Sequence, residues 1–181
     1  DVCNHRTWVF AGDGCLMEGV GQEAASLAGH LGLGHLKVLY DSNNITIDGE
    51  TSLCFTEDTP AKFKAMGWHV LEACGHVHAE IDDALAAAHA ETSRPTLVIF
   101  RTIIGFGAPT KSGTSGIHGS KLGTDEAQAA KAALNLPESP FDIRPADLKA
   151  WRSFGAKGKT DYEAWKSRVA ALAPDTMAEY L

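Results

Sequence analysis

Short apolar runs without period-2 alternation, separated by helix-like stretches, constrain this chain more than any other feature. The runs fall at residues 7–11 (TWVFA), 37–41 (KVLYD), 68–73 (WHVLEA) and 96–101 (TLVIFR). A strand that is apolar along its whole length needs cover on both faces. A chain that alternates such strands with helices meets this need with a parallel sheet flanked by helices above and below. Helical patterns lie at residues 21–33, 60–66 and 79–91, the second opened by Thr59 as N-cap with Pro60 at its first helical position. The expected fold class is α/β, a doubly wound, mostly parallel sheet of about five strands.

The pattern changes at residues 105–123, GFGAPTKSGTSGIHGSKLG, which are too rich in Gly, Ser and Thr to add a strand. Loops of this length without secondary structure are usually functional or disordered. A helix is expected at residues 125–134 with Thr124 as cap, then a proline-rich extended stretch and two amphipathic helices, at about residues 146–154 and 162–172. Residues 1–135 read as one binding domain and residues 136–181 as a helical C-terminal connector.

With 16 Lys+Arg against 23 Asp+Glu, the net charge of −7 argues against a nucleic-acid partner, which would require clustered basic residues. No apolar run approaches the roughly 18 residues of a membrane span, so a soluble protein is expected. Cys3, Cys15, Cys54 and Cys74 form no C-x-x-C pair, which speaks against structural zinc and for buried thiols in a reducing, cytoplasmic setting. The chain opens Asp1-Val2-Cys3 and enters a strand almost at once, as though cut from something longer.

Chemistry concentrates at Gly12-Asp13-Gly14, between the first strand and the first helix. In an open parallel sheet, ligands bind beyond the carboxyl ends of the strands. The glycines allow close approach of a ligand, and the N–H groups of the following helix suit a phosphate. A carboxylate placed there would repel that phosphate unless a divalent cation, Mg²⁺ or Ca²⁺, lay between them. The second strand ends in Tyr40-Asp41-Ser42-Asn43-Asn44-Ile45, thirty positions on, the length of one helix and one strand. The Asp13 carboxylate, the Asn43 amide oxygen, the Ile45 carbonyl, two phosphate oxygens and a water would complete a six-oxygen shell. Elsewhere, His76 and His78 are expected to face water, and Lys111 and Lys121 to be solvated loop lysines.

The run from Gly12 to Gly49, GDGCLMEGVGQEAASLAGHLGLGHLKVLYDSNNITIDG, resembles the thiamine diphosphate motif of the transketolase family. The resemblance continues through CFTEDTPAKFKAMGWHV, RPTLVIFRTIIGFGAPTKSGT, the IHG at 117–119 and LPESPFDIRPADLKAWR, so it covers most of the chain. It implies thiamine diphosphate and a divalent metal as cofactors. Asp13, Asn43 and the Ile45 carbonyl would hold the metal, Gly12 and Gly14 would lie at the diphosphate, and His118 would lie near both diphosphate and substrate. Glu18, as a catalytic residue, and Glu23 would match acidic positions at a homodimer interface. The implied activity is transfer of a two-carbon ketol unit from a ketose phosphate to an aldose phosphate in the pentose phosphate pathway.

Around His118 the chain departs from the family, which commonly has a further histidine just before His-Gly and Ala-Pro after it. Here Thr114-Ser115-Gly116 precede and Ser120-Lys121 follow. The family mechanism also uses a glutamate from a pyrimidine-binding domain that is expected to lie outside this chain. The chain alone is therefore expected to bind metal diphosphate weakly and to be inactive. The alternatives are a dihydroxyacetone synthase, a deoxyxylulose-phosphate synthase, or a non-catalytic split-off subunit that binds a partner domain.

Overall fold

In a computed structural model, residues 2–180 are described. Arg6–Leu134 forms one compact unit, and the chain from Asn135, with the residues before Arg6, forms another.

The first unit is built on β1 (Thr7–Gly12), β2 (Leu36–Ser42), β5 (His69–Cys74) and β6 (Thr96–Arg101), all parallel, in the order β1-β2-β6-β5. The sheet has four strands where about five were expected. Among the described residues the remaining extended chain is a separate antiparallel hairpin of β3 (Ile45–Thr46) and β4 (Gly49–Glu50), too short and polar to join it. On one face lie α1 (Asp13–Met17), α2 (Gly19–His30) and α3 (Thr59–Ala65). On the other lies α4 (His78–Ala90), and α5 (Thr124–Ala133) closes the unit.

The central strand β6 explains why its sequence is apolar throughout. Leu97 and Ile99 pack with Leu16, Ala25, Ala28, Phe63 and Trp68 on one face, while Val98 packs with Leu39, Ala84 and Ala88 on the other. Trp68 precedes β5 rather than opening it. It is buried edge-on against Phe63, and its indole N–H donates to the Ala25 carbonyl (2.8 Å), which satisfies the one polar group it brings into the core. Gly29 of α2 faces the Met66 carbonyl so closely that any Cβ would run into it.

Lys37 on β2 is fully enclosed, and burial lowers its pKa. Its ammonium donates to the Glu91 carbonyl (2.6 Å) and to Thr96 Oγ1 (3.2 Å), so it satisfies a carbonyl left over at the C-terminus of α4. The Glu91 side chain in turn accepts from Ser93 N–H, Ser93 Oγ and Arg94 Nε. These bonds, the Ser93 ones foremost, hold its carboxyl well below 4.5, at about 2.

Helix starts differ slightly from expectation. Asp58 caps α3 by accepting from Ala61 N–H (2.9 Å), and Thr59 and Pro60 lie inside the first turn. Thr124 likewise falls inside α5, whose N-cap is Gly123.

In the second unit, α6 (Pro145–Ala170) is one helix of 26 residues rather than two, followed by α7 (Pro174–Tyr180). Gly155 and Gly158 each cost a helix about 1 kcal/mol but break no hydrogen bond. The pairs Arg144–Asp147 and Glu163–Lys166, and the stack of Tyr162 on Trp165, support the turns on either side.

Two outcomes test this packing. Gly29→Ala should lower unfolding stability in urea by about 1–3 kcal/mol, as overpacking against fixed backbone does; an unchanged midpoint would contradict the close approach. A carbon-detected NMR titration should place the Glu91 midpoint at about 2. Because this carboxyl is depressed, its contribution to stability is present above 4.5 and is lost as pH falls through about 2. A midpoint near 4.5 would show that the turn is not formed as described.

Candidate functional site

β1 ends at Gly12 and α1 begins at Asp13 with no residue between, and the register pairs Gly12 with Asp41 of β2. The Asp13 carboxylate is thereby set beside the end of the next strand, where it is 3% exposed. Tyr40 O–H donates to Asp13 Oδ1 (2.6 Å), and the backbone N–H groups of Asn43 and Asn44 donate to Oδ2 (3.2 and 3.1 Å). Two successive amides converge on one oxygen where the chain leaves β2, and Asn44 then takes the left-handed region at φ +62°. Asparagine tolerates that conformation better than most residues. Burial, followed by the bond to Asp13, pushes the Tyr40 phenol up to about 12, so it stays a donor throughout the neutral range.

All three donors are neutral, and among the described residues no ion pair reaches Asp13. Arg101, at the end of β6, instead engages Ser42 Oγ (3.0 Å) and Glu72 (3.1 Å). A buried anion without a cationic partner is costly, and this donor set leaves its charge uncompensated. Above it the chain is open: a Cβ on Gly12 or Gly14 would meet nothing within 4 Å.

Asn43 lies beside Asp13, with Oδ1 accepting Ile45 N–H (3.0 Å) and Nδ2 donating to Asp41 Oδ1 (3.4 Å). Asn43, Asn44 and Ile45 line a cavity of about 330 Å³ with Glu50, Ser52 and Gly113. The glycine-rich loop is thus brought to the same edge of the sheet. Among the described residues no three His, Cys, Asp or Glu side chains gather as a metal cluster. A cation beside Asp13 would therefore draw on amide and carbonyl oxygens, a donor set that suits a hard ion.

The loop itself is more ordered than its composition suggests. Gly113 N–H donates to the Ile104 carbonyl (2.8 Å), Gly105 at φ +65° lies tight against Ile117, and Ser115–Ile117 forms a 3₁₀ turn. Lys111 is not a solvated lysine: its ammonium donates to the Leu122 (2.7 Å) and Lys121 (3.3 Å) carbonyls and so closes the loop on itself. His118 follows the 3₁₀ turn and is exposed. Glu18 is exposed between α1 and α2, where its carbonyl accepts from Gly21 and Gln22, and Glu23 is exposed on α2.

Two further expectations are corrected. His78 is exposed, but His76 is half-buried, stacked on Phe106 (centroids 4.2 Å apart), and its Nε2 accepts Ile103 N–H (2.9 Å). The cysteines are not buried either: Cys3, Cys15 and Cys54 are exposed and Cys74 is intermediate. Sequence reasoning also gave no role to Tyr40 or to the Asn44 amide. A lone phenol near the end of a strand, three positions before an Asn-Asn pair, was the available signal.

Residues 1–179 match the family model described as "Transketolase, thiamine diphosphate binding domain". The chain is 49% identical to transketolase 1 of Vibrio cholerae over 99% of its length and 28% of that protein's. It is 47% identical to the plasmid transketolase of Cupriavidus necator, again over 28% of the relative. Among solved structures, Leishmania mexicana transketolase superposes with a TM-score of 0.88 at 42% identity, over 93% of this chain and 26% of that one. Campylobacter jejuni transketolase gives 0.90 at 34% identity, over 98% and 28%. The chain thus spans little more than a quarter of the relatives it matches, and by its sequence and its fold it belongs to the transketolase family, within the thiamine diphosphate binding domain.

Proposed function

We propose that this chain carries the diphosphate-and-metal half of a transketolase active site. The observation that carries the reading is the buried Asp13 carboxylate, held by neutral donors alone beneath an open glycine turn. A divalent cation, Mg²⁺ or Ca²⁺, would compensate that charge, with Asp13, the Asn43 amide oxygen and the Ile45 carbonyl as its protein donors. Gly12 and Gly14, where a Cβ would meet nothing within 4 Å, leave room for the diphosphate.

The supported activity is transfer of a two-carbon ketol unit between sugar phosphates. Thiamine diphosphate, when bound, supplies the electron sink for making and breaking the carbon–carbon bond. The chain's own part is to bind and orient. Tyr40 and the Asn43 and Asn44 amides fix the Asp13 carboxylate, and the loop residues that close around Lys111 carry the His118 imidazole, a donor for diphosphate or substrate oxygens. By the family resemblance Glu18 and Glu23 would lie at a homodimer interface, and a pyrimidine-binding domain would complete the active site.

Calorimetry with thiamine diphosphate and Mg²⁺ tests the reading. The unaltered chain should give a Mg²⁺-dependent heat. Asp13→Ala should weaken binding by more than the roughly 10–100-fold that substitutions outside the metal's direct ligands cost. Equal heats from the two proteins, or heat independent of Mg²⁺, would overturn it.

A further inference from the structure

An asparagine ligand differs from a carboxylate in one respect that matters here: only one end of its side chain can face a cation. The other end carries two N–H donors, and a flip of the amide would aim them at the ion. Something must therefore hold the Asn43 side chain the right way round. The residues that do so lie at the ends of two neighbouring strands.

Register pairs Asp41 of β2 with Phe100 of β6, which brings Thr102, just beyond β6, alongside Asp41. Thr102 O–H donates to Asp41 Oδ1, and Thr102 N–H donates to the Ser42 carbonyl (3.2 Å), so Thr102 is fastened to the end of β2 by backbone and side chain together. The same Asp41 oxygen accepts Asn43 Nδ2 (3.4 Å). At the far end of the amide, Oδ1 accepts Ile45 N–H (3.0 Å) in the same orientation, and an amide oxygen has a second lone pair to offer. The Asp41 carboxylate makes no contact with Asp13 in this network, and Asp13 is held by its own separate donors.

We propose that Asp41, buttressed by Thr102, is a positioning residue that sets the orientation of the Asn43 amide and so presents its oxygen to the cation. The inference rests on the cation site proposed above. It accounts for a carboxylate placed two residues from Asn43 yet turned to the amide's nitrogen end. It also makes a sharp distinction between two kinds of influence. If Asp41 merely added negative charge near a cation, losing the charge would be what matters. If it anchors an amide, losing the acceptor is what matters, and asparagine at position 41 retains an acceptor.

The test uses the 181-residue chain with Mg²⁺ and thiamine diphosphate as the probe. Asp41→Asn should bind within about threefold of the unaltered chain, while Asp41→Ala should bind about 10–100-fold more weakly, the usual cost of removing a group that orients a metal ligand. Thr102→Val should fall between them. Equal losses in Asp41→Asn and Asp41→Ala would reduce Asp41 to a charge effect and overturn the proposal, as would no loss in Asp41→Ala. Asp13→Ala serves as the separate control: if it too binds normally, the cation site itself is refuted, whereas a loss there with Asp41→Ala unaffected refutes the positioning role alone.

A second readout does not depend on binding. In ligand-free protein the Asn43 side-chain NH₂ should give two well-separated proton resonances with slowed exchange, preserved in Asp41→Asn and collapsed towards solvent-like values in Asp41→Ala. Solvent-like Asn43 resonances in the unaltered chain would overturn the proposal even if no binding heat were seen.

Discussion

A single buried carboxylate sets the requirements that the rest of this unit meets. Asp13 stands at the junction of the first strand and the first helix, almost fully withdrawn from solvent. Removing an ion from water costs several kcal/mol even after the protein has relaxed around it. Neutral hydrogen bonds from Tyr40, Asn43 and Asn44 offset part of that cost. None of the three cancels the charge, which is the ground for the proposed cation.

Those three donors reach Asp13 only if the first two strands are parallel and in one register. The sheet secures that register from its centre. β6 pairs with both β2 and β5, and its buried Leu97, Val98 and Ile99 are gripped from both faces. Lys37 ties β2 to the end of α4, where the pull of an ammonium on two oxygens is strengthened by the absence of competing water. At the opposite ends of the same strands, Thr102 fastens the exit of β6 to that of β2. The polar groups of the site thus stand on the ends of rigid strands rather than on a mobile loop, which is where a ligand set requires them.

Much of this was legible in the sequence because it depends on periodicity and spacing. Unbroken apolar runs announced strands covered on both faces, and the thirty positions from Asp13 to Asn43 announced that their ends would meet. Features that depend on who touches whom were not legible. Composition made Lys111 look solvated, yet its ammonium finds two loop carbonyls. His76 looked like a surface histidine until Phe106 and the Ile103 amide were folded against it. The two helices expected at about residues 146–154 and 162–172 are one, because a helix tolerates Gly155 and Gly158 when its other turns are supported. The donors to Asp13 were hidden for a related reason: two of them are backbone amides, which every residue has, and only the folded path of the chain beyond β2 aims them together.

The central claim is that the charge of Asp13 awaits a divalent cation shared with Asn43 and Ile45. Anomalous diffraction from crystals of this chain grown with Mn²⁺ and thiamine diphosphate addresses it most directly. The account predicts one strong peak bonded to the Asp13 carboxylate, the Asn43 side-chain oxygen and the Ile45 carbonyl. A peak elsewhere, or a diphosphate seated over Gly12 and Gly14 with no metal between it and Asp13, would contradict it.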